Sequence, residues 1–168
     1  MSASARCALR YETLLELTST EHHRWHEWLV EHPTAWVVPF ATERMATIGE
    51  LVRHIFVVEL RYAQRLLDQE VTPWDGFGQT SVEAVFELGD HARSQLVHFL
   101  TSAPESELDR LLTFQTLTAG KVTASKHKIA SNIFLHGIRH WGQVATVLRQ
   151  HGFADQWAHD MLLSNIKM

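Results

Sequence analysis

The chain has 168 residues, 45% of them hydrophobic, and a formal net charge of −4 with its twelve histidines neutral. That length suits a single domain over residues 1–168 with a real core, and an acidic balance without any basic run excludes a nucleic-acid or anionic-membrane binder. One cysteine, Cys7, leaves no internal disulfide and no thiolate metal cluster, and no run of ~20 apolar residues is present to cross a membrane.

Residues 1–8 are small and polar and are expected to be flexible. They lack the apolar run of a signal peptide, so the expected compartment is the cytoplasm. From about Tyr11 a helical pattern runs through Leu14, Leu15, Thr18, His22, Trp25 and Leu29. His32-Pro33 stops it, because the residue before a proline avoids the helical region. Residues 33–41 read as a connector. A second helix starts between Thr42 and Thr47, where Thr47 and Glu50 have capping-box spacing. Its apolar seam is Leu51, Ile55, Val58, Tyr62 and Leu66, and His54 lies beside that seam.

Residues 71–79 form a loop, and Thr80 or Ser81 caps a third helix with a seam through Val82, Val85, Phe86, Ala92, Leu96 and Phe99. Ser106 to Leu112 has room for one further helical turn. Residues 113–124 alternate threonine with apolar residues around Ala119-Gly120, which fits a short hairpin or an extended crossover. The fourth long helix runs from about Ser125 to Gln150, and the tail at 153–168 reads as a short helix docked on the body. Four long amphipathic helices predict an all-α fold, an antiparallel four-helix bundle with a short crossover before the last long helix.

The fourth helix carries the chemistry. His136 and His140 are four residues apart, so both imidazoles leave one helix face. Asn132, His136, His140 and Gln143 form a polar line flanked by Ile129, Ile133, Val144 and Val147. A polar line in an apolar face predicts buried polar groups that need partners. A metal ion would satisfy two neutral imidazoles at once, and a hydrogen-bonded network would do so equally well. His54, bordering the core seam of another helix, is the natural third ligand. Three histidines leave a coordination position open, as catalytic rather than structural zinc sites do, and such a site lowers the pKa of a water or thiol. Imidazole suits zinc, nickel, copper or iron alike.

His22 and His26 are a rival pair at the same spacing, with His23 adjacent. His22 lies on the apolar face of its helix, which makes it a pocket candidate rather than a ligand. Trp141, next to His140, is a candidate wall of the site. No phosphate loop, nucleophile elbow, Glu-x-x-His pair or His-Glu-x-x-His motif occurs.

His136-x-x-x-His140-x-Gly142-Gln143, followed by Leu148-Arg149-Gln150-x-Gly152, resembles the last-helix motif of the DinB-like (YfiT-like) family of metal-binding four-helix bundles. This family is unrelated to the DNA polymerase that shares the name. Leu51-Val52-Arg53-His54, continuing to Glu59, is similar to the family's second-helix motif. Arg24-Trp25 and the Ala119-Gly120-Lys121 turn also fit, so the resemblance covers about residues 10–152. It departs at Trp141, where arginine is common. The resemblance implies His54, His136 and His140 as ligands of zinc or nickel. It also implies a metal-dependent enzyme, thiol transferase or isomerase in type, using a low-molecular-weight thiol; a hydrolase is the other enzymatic reading. A non-catalytic metal-binding or stress-associated bundle is the alternative. By the same analogy the protein is expected to be a homodimer.

Overall fold

The computed structural model describes residues 9–40, 42, 44–155 and 157–166. The N-terminal segment 1–8, read above as flexible, and Cys7 within it lie outside the described residues. Five helices dominate: α1 (Tyr11–Glu31), α2 (Ile48–Leu66), α3 (Val82–Ser102), the single-turn α4 (Glu105–Leu108) and α5 (Lys126–Gln150). Two strands, β1 (Leu111–Gln115) and β2 (Lys121–Ser125), pair antiparallel between α4 and α5. Helix α2 packs against α3 and α5, and α1 packs against the same two helices.

Local signals set the helix starts. The Thr47, Ser81 and Ser125 side chains accept hydrogen bonds from the backbone N–H groups of Glu50, Ala84 and Lys128, satisfying one orphan donor each. The reciprocal half of the expected capping box is displaced by one residue, since Glu50 accepts from the N–H of Ala46 rather than Thr47. At the end of α1, the His32 ring stacks on Trp28 with centroids 4.1 Å apart, and the chain enters a 3₁₀ turn at Pro33–Val37. Helix α2 is the most buried of the long helices, with Leu51, Val52, Ile55 and Phe56 inside the core. One core cluster gathers Trp25, Phe56, Phe86 and Trp141, and a second gathers Leu66, Leu96, Phe99 and Phe134.

The all-α expectation needs correction. The segment after α4 is a hairpin, in register from Leu111 opposite Ser125 to Gln115 opposite Lys121. The alternation that left hairpin and crossover open has a direct cause. Leu112, Phe114, Val122 and Ala124 all turn to the second core cluster, while Thr113 and Thr123 face outward with their hydroxyls 2.8 Å apart. Gly120 turns the chain at φ +67°, a left-handed conformation that side-chain-bearing residues avoid. Among its described residues the tail has one helical element, a 3₁₀ turn, Met161–Leu163, where the sequence reads as a docked helix. Its anchor is Trp157, whose ring meets Trp25 at 4.9 Å and whose Nε1 donates to Glu21.

Lys126, the first residue of α5, is 2% exposed. Its ammonium donates to the Leu66 carbonyl at the end of α2, to Asp68 (3.0 Å) and to Glu107 (2.9 Å). Asp68 reaches it because the chain leaves α2 through a left-handed residue there, φ 56°. Replacing the ammonium by a methyl thioether removes the buried donor to the Leu66 carbonyl, while Asp68 and Glu107 keep Arg110. Lys126→Met is expected to cost about 1–3 kcal/mol in a urea melt, whereas the exposed neighbour variant Lys128→Met stays near neutral.

Candidate metal centre

His54 on α2 meets His136 and His140 on α5. One ring nitrogen from each falls within 4.8 Å of the others, an arrangement that could hold a metal ion. The His136 and His140 Nε2 atoms are 3.1 Å apart, and the His54 ring centroid lies 5.1 and 5.2 Å from theirs. With metal–nitrogen bonds of about 2.0–2.1 Å, neighbouring ligand atoms stand about 2.9 Å apart on an octahedral ion and about 3.4 Å on a tetrahedral one. The α5 pair falls between these values, so the donor set fits a transition metal.

The imidazoles are prepared for that role. The Gln143 side-chain oxygen is 2.5 Å from His140 Nδ1. An amide oxygen only accepts, so Nδ1 carries the proton and Nε2 keeps its lone pair. Arg139 Nη2 donates toward the same Nε2 at 3.3 Å. Burial drives all three pKa values down, His54 to about 4 and His136 to about 3. The neighbouring imidazoles and Arg139 add to the shift of these two, and the Gln143 bond partly opposes it at His140. All three rings are therefore held toward the neutral form that binds metal, His54 and His136 most strongly.

A cavity of about 300 Å³ opens beside this group, with His54, His136 and Asn132 in its wall. Trp74 and the hairpin residues from Phe114 to Thr118 form another part of the wall. The small sheet thus has a positional role, since it raises the turn after β1 over the α2–α5 seam.

A model of the DinB family matches residues 1–165. The chain belongs to the DinB family. Among solved structures it is similar to a DinB-like protein, YjoA, from Bacillus subtilis. That likeness has a TM-score of 0.62 at 15% sequence identity and covers 87% of this chain and 96% of the other. At that identity it speaks for the fold alone. No curated protein matches the chain.

The other candidate residues of this DinB protein separate in space. Asn132 and Gln143 are both exposed, so the buried polar line expected from the sequence is buried only at His140 and half-buried at His136. Of this line, only Asn132 and His136 border the cavity. Asn132 stands in the wall and Gln143 holds His140 from outside. His22 is elsewhere: its ring packs on Phe56 and Phe86, and Nε2 meets Asp90 at 3.0 Å. Burial pushes its pKa down to about 4 against the pull of Asp90. His23 bonds the Ser19 carbonyl and His26 stacks on Phe86, so the rival pair does not converge on one point. Trp141 is a core residue, stacked on Trp25 at 5.8 Å, and does not line the cavity. Where the family motif has arginine, this chain has that tryptophan, and Arg139 supplies a guanidinium near His140 from two positions earlier.

Sequence reasoning missed the arginines of the wall: Arg44, Arg61, Arg65 and Arg139. A signal existed for two of them. Arg61 and Arg65 follow His54 by seven and eleven residues, within about 20° of its direction on an α-helix.

Three outcomes follow from this geometry. Gln143→Ala removes the acceptor that fixes the His140 tautomer and is expected to weaken zinc affinity about 10- to 100-fold, measured by competition with a metal indicator. Zinc affinity is expected to hold through neutral pH and to fall in acid, because His54 and His136 are pushed down to about 4 and about 3 and His140 is lowered as well. Stability of the metal-free protein should already decline as pH drops through ~6.5, where the unfolded histidines take up protons that the folded ones refuse. Urea melts across that range read this second effect.

Proposed function

We propose that this DinB protein is a metal-dependent enzyme that activates the sulfur of a low-molecular-weight thiol, with His54, His136 and His140 holding zinc or nickel. The observation that carries the reading is the open cavity whose wall includes His54 and His136, two of the three grouped imidazoles. A structural zinc site is closed by four protein ligands; here the described residues bring three nitrogens together, and a pocket large enough for a small molecule adjoins them. The same reading takes α1, α2, α3 and α5 as an antiparallel four-helix bundle with the site in one of its seams.

A divalent ion on these imidazoles would supply Lewis acidity that lowers the pKa of a thiol or water in the remaining position. The residues of the chain do the rest. Gln143 keeps His140 in the ligating tautomer. Burial keeps the three rings neutral. Arg139, 3.3 Å from His140 Nε2, sets a positive charge where a thiol would lose its proton, and a cation there favours the anionic sulfur.

Two facts favour a thiol over water, and hence a transferase or isomerase over a hydrolase. No aspartate or glutamate is among the described residues that line this cavity, and Glu50, in the adjoining pocket that shares His54, is engaged by the Ala46 N–H. A thiol near pKa 8.5 needs only a modest shift to ionise at neutral pH, whereas water starts from 15.7.

Protein purified without a histidine tag is expected to carry about one equivalent of zinc or nickel, lost in His136→Ala. The metal-loaded protein should then accelerate transfer of a cellular thiol to an activated aryl halide, with a new carbon–sulfur bond and release of halide and a proton. Metal content below half an equivalent and unaltered by His136→Ala would sink the metal reading. Full metal without thiol-dependent turnover would leave a binding protein.

A further inference from the structure

The cavity wall reverses the charge of the chain. The protein carries a net −4, yet Arg44, Arg61, Arg65 and Arg139 line this one cavity, and no aspartate or glutamate is among the described lining residues. None of the four forms an ion pair with a carboxylate among the described residues, whereas Arg93 and Arg110 do.

Two of these guanidiniums are held in place by aromatic rings. Arg61 lies over Trp74, 4.3 Å from the ring centroid, and Arg65 over Phe114 at 4.8 Å. Arg61 uses one nitrogen on the Thr72 carbonyl, and Arg65 uses one on the Arg61 carbonyl, 2.8 Å away. A guanidinium has five N–H donors, so most remain available. Burial lowers the pKa of both groups, and at Arg61 the adjacent Arg65 charge lowers it further. Half-buried like charges with no counter-charge are costly unless an anion completes them.

The arrangement also has a direction. Arg139 is beside the imidazoles. Along α2, Arg61 and Arg65 stand one behind the other, about 10 and 16 Å from His54 at 1.5 Å rise per residue. We propose that the cavity recognises a substrate bearing an oxyanion, a carboxylate or a phosphate, on the order of 10 Å from its reacting atom, with Arg61 and Arg65 as the specificity-determining residues. The inference rests on the reading of this cavity as the substrate pocket of the metal centre.

The test is titration of the full chain with glutarate and with glycerol 2-phosphate, set against the neutral analogues glutaramide and glycerol, followed by tryptophan fluorescence and calorimetry. The two anions separate carboxylate from phosphate recognition. At least one anion is expected to bind in preference to its neutral analogue, and binding should weaken as salt rises. The double variant Arg61→Gln/Arg65→Gln should lose about 10- to 100-fold in affinity while retaining its metal content. If that variant does not fold, Arg44→Gln/Arg139→Gln, at two exposed positions, is expected to weaken binding in the same direction. Repeating the titration on His136→Ala separates the two proposals. Anion binding that survives loss of the metal supports the pocket even where the metal reading fails. Anions that bind no better than their neutral analogues, or equally well to a folded arginine double variant, would overturn the inference.

Discussion

The ammonium of Lys126 ends among the Leu66 carbonyl, Asp68 and Glu107, at a point where α2 stops and α5 starts. That contact fixes the register of the two helices that matter most. From Leu66 back to His54 is twelve residues, and from Lys126 forward to His136 is ten. Two antiparallel helices clamped at one end therefore meet again about three turns away, at the imidazoles. The charge is well suited to the position, since a cation at a helix C-terminus satisfies both the orphan carbonyl and the helix dipole. Arg110 joins the same cluster through Asp68 and Glu107, so α4 and the start of the hairpin are tied to it as well.

Packing alone would not select this seam for polar groups. Three imidazoles at partial burial lose hydration, and their lowered pKa values record that loss. The fold tolerates them because the seam is apolar on one side, with Ile55, Ile133 and Val144 buried, and open to the cavity on the other. Neutral rings are far cheaper to bury than charged ones. The surrounding arginines reinforce that neutrality, since a protonated imidazole beside Arg139 would be repelled. The same positive field favours an anion in the cavity and opposes a cation, so any hold on a metal ion would come from the imidazole lone pairs. Elsewhere the chain pairs its buried charges. Glu59 and Arg93 lie 3.2 Å apart, with Arg93 also donating to Thr18, and this pair serves the α1–α2–α3 packing rather than the site.

The hairpin shows how a minor element acquires a functional place. Ten strand residues could not stand alone as a sheet. They persist because Leu112, Phe114, Val122 and Ala124 complete an apolar cluster between α2, α3 and α5. The same docking puts Phe114 against Tyr62 and Arg65 and raises the turn beside the histidine group. The DinB family match covers the hairpin along with the helices.

Much of this was written in the sequence. Helix positions followed from apolar periodicity, from Pro33 and from the caps at Thr47 and Ser81, because such signals act within a few residues. The spacing of His136 and His140 gave a shared face for the same reason, and His54 was reachable because it borders the seam of its own helix. The hairpin was half legible, since alternation suggested it but only docking on the second core cluster decided it. Burial was not legible. Asn132 and Gln143 share the line of His136 and His140, yet whether a helix face is covered depends on how far its neighbour extends over it. The arginines were beyond reach for a similar reason. Four residues from α2, α5 and a connecting loop make one positive cavity only after the chain is folded, and the net charge of the chain points the other way. Local geometry is set by neighbours in sequence, whereas burial and electrostatic field are set by neighbours in space.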